Sequence, residues 1–252
     1  MKYNFMQVTF WFNEIDDFKK YQKILDEELN KDFSPFNLTG VPTNVDFIIP
    51  RITSDTIGGH TKFNMSKINV QLVTRFDNDF IDDFDKCYEY VKNRAFMVFN
   101  VLKNKCNLKI LYSAINLNCE KEDANPIEKI LTNIFNTNVN SKDICEVGVK
   151  LSQKINNKYY YIISLNDAKM VSFTKKIEQG ALNQNIIIPL ISEKKLRIEK
   201  MLLAFSIEVN DKCNFNNFDD YNTELANLEE MFKTFYNKNI NLKEQIDNNK
   251  II

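Results

Sequence analysis

The chain reads as an α+β fold, a largely antiparallel sheet with a β-meander in its C-terminal half and a long central helix packed on the sheet. Three observations predict it. The first strand alternates apolar and polar residues with period two, a continuous apolar stripe at helical spacing runs from Phe80 to Leu102, and residues 146–176 read as strands separated by Asn-Asn and Asn-Asp turns.

Met6, Val8, Phe10 and Phe12 alternate with Gln7, Thr9 and Trp11, which predicts a half-buried strand over Met6 to Phe12. Asp16 or Asp17 then caps a helix that turns Phe18, Tyr21, Ile24, Leu25 and Leu29 to one face and ends near Asn30. Pro35, Pro42 and Pro50, with Gly40, Gly58 and Gly59, punctuate the following stretch and leave room for a short strand at Val45 to Ile49. Phe63 to Phe76 returns to strand character. Phe80, Phe84, Cys87, Val91, Ala95, Val98 and Leu102 then recur at spacings of three and four, which predicts a helix from Asp79 to Lys103, about 37 Å long. Its second half, where Phe96, Met97, Phe99 and Val101 make nearly every face apolar, should be covered on all sides.

Leu108 to Leu117 reads as a strand, and Asn125 before Pro126 caps a short helix through Phe135. Glu146 to Ile155 and Lys158 to Leu165 flank Asn156-Asn157, and Asn166-Asp167 separates the latter from Ala168 to Lys176, so two tight hairpins are expected. The expected register sets Leu151 opposite Tyr160 and Val149 opposite Ile162 on the core face. Tyr159, Tyr161, Ile163 and Leu165 then fall on a second face too apolar for water. A helix of the same chain is the simpler cover for it; a partner subunit or ligand is the other, which makes Tyr159, Tyr161 and Ile163 a candidate interaction surface. Leu196 to Val209 reads as a further strand, although its first half also fits a helix. A last helix starts at Asn222 or Thr223, with Leu225, Leu228, Phe232 and Phe235 facing inward, and frays over Ile240 to Ile252. The chain is read as one domain over 1–252, or two closely packed halves, 1–140 and 141–252, without a clear repeat.

Composition narrows the function classes. Hydrophobic residues make up 44% and charged residues 27%, with 20 Phe and 10 Tyr, enough to build a core without metal or disulfides. The formal charge of −1 gives no bulk attraction to nucleic acid or anionic membrane, and the basic charge is mostly lysine rather than arginine, so nucleic acid is a disfavoured partner. The longest strongly apolar helical stretch, Ala95 to Leu102, falls far short of a bilayer span, and no signal peptide is read. One histidine and five widely spaced cysteines exclude paired-ligand zinc and CxxC chemistry, and point to a reducing cytoplasm with buried thiols.

Gly58-Gly59-His60-Thr61-Lys62 is the one segment that joins paired glycines, a titratable ring, a hydroxyl and an ammonium, a combination able to hold an anion. It lacks the spacing of either phosphate-binding glycine motif, and a plain turn explains it too. Asp77, Asp79, Asp82, Asp83 and Asp85 are better read as helix-start acids than as metal ligands. Glu193-Lys194-Lys195 resembles the ExK fragment of metal-dependent nucleases, with Glu193 for the metal and Lys195 for developing charge, but a solvated turn is the simpler reading. No GxSxG elbow is present, and any hydrolytic triad would have to use His60 as its base.

The expectation is therefore a cytoplasmic, non-enzymatic binding or interaction protein without metal or cofactor, acting on a protein partner or on itself. The alternative is a phosphate-handling enzyme, a metal-dependent nuclease or nucleotide-acting protein, with His60, Lys62, Glu193 and Lys195 as its catalytic candidates. The Asn-, Lys- and Ile-rich, AT-biased composition would also suit a phage or mobile-element setting.

Overall fold

The computed structural model describes residues 1–42, 45–132, 144–172 and 197–248. It contains β1 (Lys2–Phe12), α1 (Phe18–Leu29), β2 (Asn37–Leu38), β3 (Ile52–Asp55), β4 (Thr61–Met65), β5 (Asn69–Arg75) and α2 (Phe84–Asn104). There follow β6 (Ile110–Glu122), α3 (Pro126–Ile130), β7 (Gly148–Ile155), β8 (Tyr159–Ser172), β9 (Arg197–Asn210), α4 (Lys212–Asn217) and α5 (Leu225–Asp247). All nine strands join one antiparallel sheet in the order β2-β3-β4-β5-β1-β6-β9-β8-β7, so the expected α+β class and C-terminal meander are present.

The first strand turns Met6, Val8, Phe10 and Phe12 into the core, as its alternation predicts. The long helices lie on that side: α2 on β1, with Phe99 against Phe10 at 5.5 Å between ring centres, and α5 on β9 and β6. Helices α2 and α5 touch each other through Phe84–Phe235 and Tyr88–Phe232 ring contacts, so one core runs beneath both. Helix α2 packs on β1, α1 and α5, but its second half is not covered on all sides as expected: Asn100 and Asn104 are exposed, and Phe96 and Met97 are half-buried.

Several boundaries differ from expectation, each for a local reason. Val45 to Ile49 forms turns rather than a strand: Asp46 accepts from the N–H of Ile48 and its carbonyl from that of Ile49, which spends the groups a ladder would need. Phe63 to Phe76 is a hairpin, not one strand, because Ser66 Oγ accepts from the N–H groups of Ile68 and Asn69 and closes a turn between β4 and β5. Helix α2 starts at Phe84 because Asp83 accepts from the N–H of Lys86, while Asp77 to Asp83 form preceding turns. The helix opened by Pro126 is described through residue 132; its expected last residues, 133–135, lie outside the described residues. Helix α5 runs well past Ile240, since Leu242 and Ile246 are buried.

The meander corrects two expectations. Ile155 pairs with Tyr159, so the β7–β8 loop holds three residues, with Asn156 and Asn157 both at left-handed φ, +50° and +56°. Leu151 thus opposes Ile163 and Val149 opposes Leu165, not Tyr160 and Ile162, and the odd displacement exchanges the faces. The core face of β8 is the one carrying Tyr159, Tyr161 and Leu165. Asn166-Asp167 is not a turn either, for β8 runs straight through it to Ser172, laddered on β9 from Tyr160 to Ser172.

Candidate interaction face of the sheet

The expected surface at Tyr159, Tyr161 and Ile163 is already covered by the chain itself. Tyr159 has no exposed area, and its hydroxyl donates to Glu230 at 3.0 Å and to the Asn227 carbonyl at 3.4 Å, both on α5. Tyr161 is 6% exposed, with Lys238 Nζ 5.1 Å from its ring centre, and Ile163 packs against the same core. The apolar second face of this strand is the seat of the last helix, the simpler of the two covers.

The glycine segment is a hairpin turn between β3 and β4. Gly58 and Gly59 take φ of +110° and +78°, which glycine adopts without cost, and the N–H groups of Gly59 and Thr61 are spent on the Thr56 carbonyl and Oγ1. His60 and Lys62 do not converge. The His60 ring packs edge-on against Phe80 and Tyr90 on the helical side, with Nδ1 3.5 Å from Asp77 Oδ2. Lys62 lies in β4 between buried Thr61 and Phe63 and so projects from the opposite side of the sheet. The structure thereby divides the segment expected to hold an anion. Glu193 and Lys195 lie outside the described residues.

The acidic run is likewise divided among local tasks: Asp77 faces His60, Asp83 caps α2, and Asp85 accepts from the Tyr236 hydroxyl at 2.8 Å. Among the described residues no group of three or more His, Cys, Asp or Glu side chains is placed to hold a metal ion, and no helix is long and apolar enough to cross a membrane. The most organised polar cluster is Asp211, 1% exposed, which accepts from the Ser113 N–H, Tyr221 hydroxyl and Thr223 hydroxyl at 2.6, 2.8 and 2.7 Å. Burial raises its pKa against the pull of those donors. The cluster is closed to solvent and ties β6, β9 and the start of α5 together. Burial also pushes the thiols of Cys87 and Cys119 up to about 12 and that of Cys106 to about 11, far from a nucleophile's range.

Among the described residues, what remains open is the other side of the sheet. No described helix crosses it; only α4 reaches one end, where Phe215 packs on Tyr112 at 5.4 Å between ring centres. The ladder fixes its rows. Val73, Gln7, Asn116 and Glu208 lie side by side across β5, β1, β6 and β9; the next row is Gln71, Thr9, Ala114 and Asn210. Asn118 Nδ2 donates to Asn116 Oδ1 at 2.8 Å, and Asn116 Nδ2 to Ser206 Oγ at 3.2 Å. Thr9 and Ala114 are only 2% and 7% exposed, because larger neighbours flank them: Gln7 donates to Thr9 at 3.0 Å, and Trp11 and Tyr112 stack at 4.5 Å and 15°. The result is a low, neutral floor walled by amides and one aromatic pair.

A sheet face built only for water would carry charge in a chain with 27% charged residues. Here Glu208 is the one charged side chain in those two rows, while Asp55, Lys62, Arg75 and Glu120 lie further out. Charge depleted at the centre, aromatic residues present and charge at the margin is the anatomy of an interface. The alternation of β1 separates Gln7, Thr9 and Trp11 from its core face without assigning them a role; the signal was that Gln7, Thr9, Asn116 and Asn118 are neutral rather than Lys or Glu. Comparison of the chain with models of protein families finds no match, and none is found among curated proteins or solved structures.

Proposed function

We propose that this chain is a non-enzymatic binding protein that holds a partner protein on the helix-free face of its sheet. The observation that carries this reading is the neutral, hydrogen-bonding centre of that face beside the Trp11–Tyr112 stack. Such a centre complements a partner surface that is itself uncharged and polar. The cations of this face, Lys62 beside Val73, Arg75 beside Phe5 and Lys212 over the Tyr112 ring, stand at its margin, so a phosphate backbone or an acidic peptide laid across the centre would be poorly compensated for its desolvation. The reading replaces the earlier surface at Tyr159 and Tyr161 with the opposite side of the sheet. The proposed setting is a reducing cytoplasm, which the five free cysteines, four of them buried, support. The enzymatic alternative is weakened by the separation of His60 from Lys62.

A photo-crosslinking side chain placed at Asn118 in the native host should trap discrete adducts, whereas the same group at Glu244, exposed on α5, should not. The double substitution Gln7→Glu with Asn116→Glu should abolish those adducts without lowering the melting temperature by more than a few degrees. If the trapped species is a second copy of the chain, the partner is the protein itself. Equal labelling from both positions, or adducts indifferent to the double substitution, would sink the proposal.

A further inference from the structure

A separate groove of about 780 Å³ lies between α2 and α5, on the far side of the molecule from the proposed interaction face. Tyr88, Phe96 and Tyr236 form its walls, and Asp85, Glu89 and Glu229 set carboxylates around it. The aromatic walls are held firmly. Tyr88 and Tyr236 lie 4.9 Å apart between ring centres, Phe84 stacks on Tyr236 at 5.5 Å, and Phe232 supports both Tyr88 and Phe96 from beneath. The Tyr236 hydroxyl donates to Asp85, which fixes one carboxylate at the rim.

Two lysines, Lys92 and Lys233, share the lining, so the groove carries three acids against two ammonium groups. Lys92, one turn along α2 from Tyr88 and Glu89, sets a cation in the groove. Its Nζ lies 5.4 Å from the centre of the Tyr88 ring and 3.4 Å from Glu89 Oε1, so a cation of the chain itself already sits on an aromatic face against a carboxylate. Glu229 takes no part in the ion pairs formed among the described residues, which leaves it to meet a charge from outside.

We infer that the α2–α5 groove is a binding site for a small organic ammonium ion, which takes the aromatic face now used by Lys92 and pairs with Glu229. Aromatic faces attract cations through their ring quadrupole, and a weakly hydrated quaternary head loses less on leaving water than a primary ammonium does. A site of this kind rejects anions and discriminates weakly among neutral apolar molecules. The Lys92 side chain competes with the ligand, so the groove is tuned to moderate affinity.

The test uses the intact protein, choline as the cation and 3,3-dimethyl-1-butanol as its uncharged counterpart of the same shape, each titrated by NMR chemical shift at low ionic strength. Choline should bind saturably with shifts confined to α2 and α5, and the neutral counterpart at least tenfold more weakly. Lys92→Met, which removes the internal competitor, should tighten choline binding severalfold, and Glu229→Gln should weaken it severalfold. Both positions are on the surface, and matching melting curves confirm that the variants fold. Equal binding of choline and its neutral counterpart would show a merely apolar groove. Absence of saturable binding, or weaker binding in Lys92→Met, would also overturn the inference.

Discussion

At the scale of single residues, the oddest feature of the core is Asn239. It sits in α5 with no exposed area, and neither its amide nitrogen nor its carbonyl oxygen has a hydrogen-bond partner. A buried amide without partners forfeits its hydration for nothing, at a cost of about 1 to 3 kcal/mol. Asn239→Leu, close in shape and content with apolar neighbours, should therefore raise stability by about 1 to 2 kcal/mol, read as a higher urea midpoint with unchanged slope. A loss of stability would mean that the amide is satisfied in solution by an internal water. The sequence does not reveal this position: Asn239 falls on the buried stripe with Phe232, Phe235 and Leu242, but a chain this rich in asparagine offers no reason to single it out. Tyr159 is the contrary case. Its apolar face was legible as one needing a cover, but the hydroxyl bond to Glu230 that seats the helix joins residues 71 positions apart and has no local signature.

At the scale of elements, what was legible followed periodicity, and what was missed followed hydrogen bonds made by small polar side chains. Helix α2 illustrates both: its stripe of Phe84, Cys87, Val91, Ala95, Val98 and Leu102 was plain, whereas its start depended on which of five nearby aspartates caps it. The structure selects Asp83, whose carboxylate accepts from the N–H of Lys86 at 3.1 Å. That hydrogen bond, with the ammonium of Lys86 beside it, holds the Asp83 pKa below the ordinary 3.8. A carboxyl whose pKa is lower in the folded than in the unfolded chain stabilises the fold above the unfolded value and loses that contribution as pH falls through the folded one. Asp83→Ala should accordingly lower the melting temperature at pH 7, and the gap from the parent protein should narrow steadily below pH 3.8. A gap constant from pH 7 to pH 2 would show that the cap does not act through its charge. The Asn156-Asn157 pair marks a tight turn but does not say whether two residues or three lie between the paired positions, a difference of one residue in register; the expected partner of Leu151, Tyr160, lay two residues further out, since a two-residue loop sets Leu151 opposite Ile162.

At the scale of the whole molecule, the sheet contains a repeat that sequence inspection did not find. Each half opens with a long strand at the centre, β1 or β6, continues through a helix, α1 or α3, and returns by a meander whose last strand pairs with the first, β5 on β1 and β9 on β6. Each then lays a long helix, α2 or α5, on the same side. The repeat is one of path rather than of residues, since among the described residues four strands follow the first in one half and three in the other, which explains why no period was visible. The halves meet along β1 and β6, antiparallel from Lys2 opposite Glu120 to Phe12 opposite Ile110, with Met6, Val8, Ile115 and Leu117 of that seam buried. A junction made of a full ladder and a shared core should couple the halves into one folding unit, unlike domains joined through a polar interface. The coupling can be read from two reporters: Trp11, the only tryptophan, lies in the first half, and the buried thiol of Cys213 lies in the second. Phe10→Ala removes a buried ring packed on Phe99 in the first half and should cost about 3 to 5 kcal/mol. In urea, Trp11 emission and Cys213 labelling should then shift to lower midpoints together and by the same amount. If only the Trp11 transition moved, the seam would be a contact between two independent domains, and the helix-free face that spans it would not be a single rigid surface.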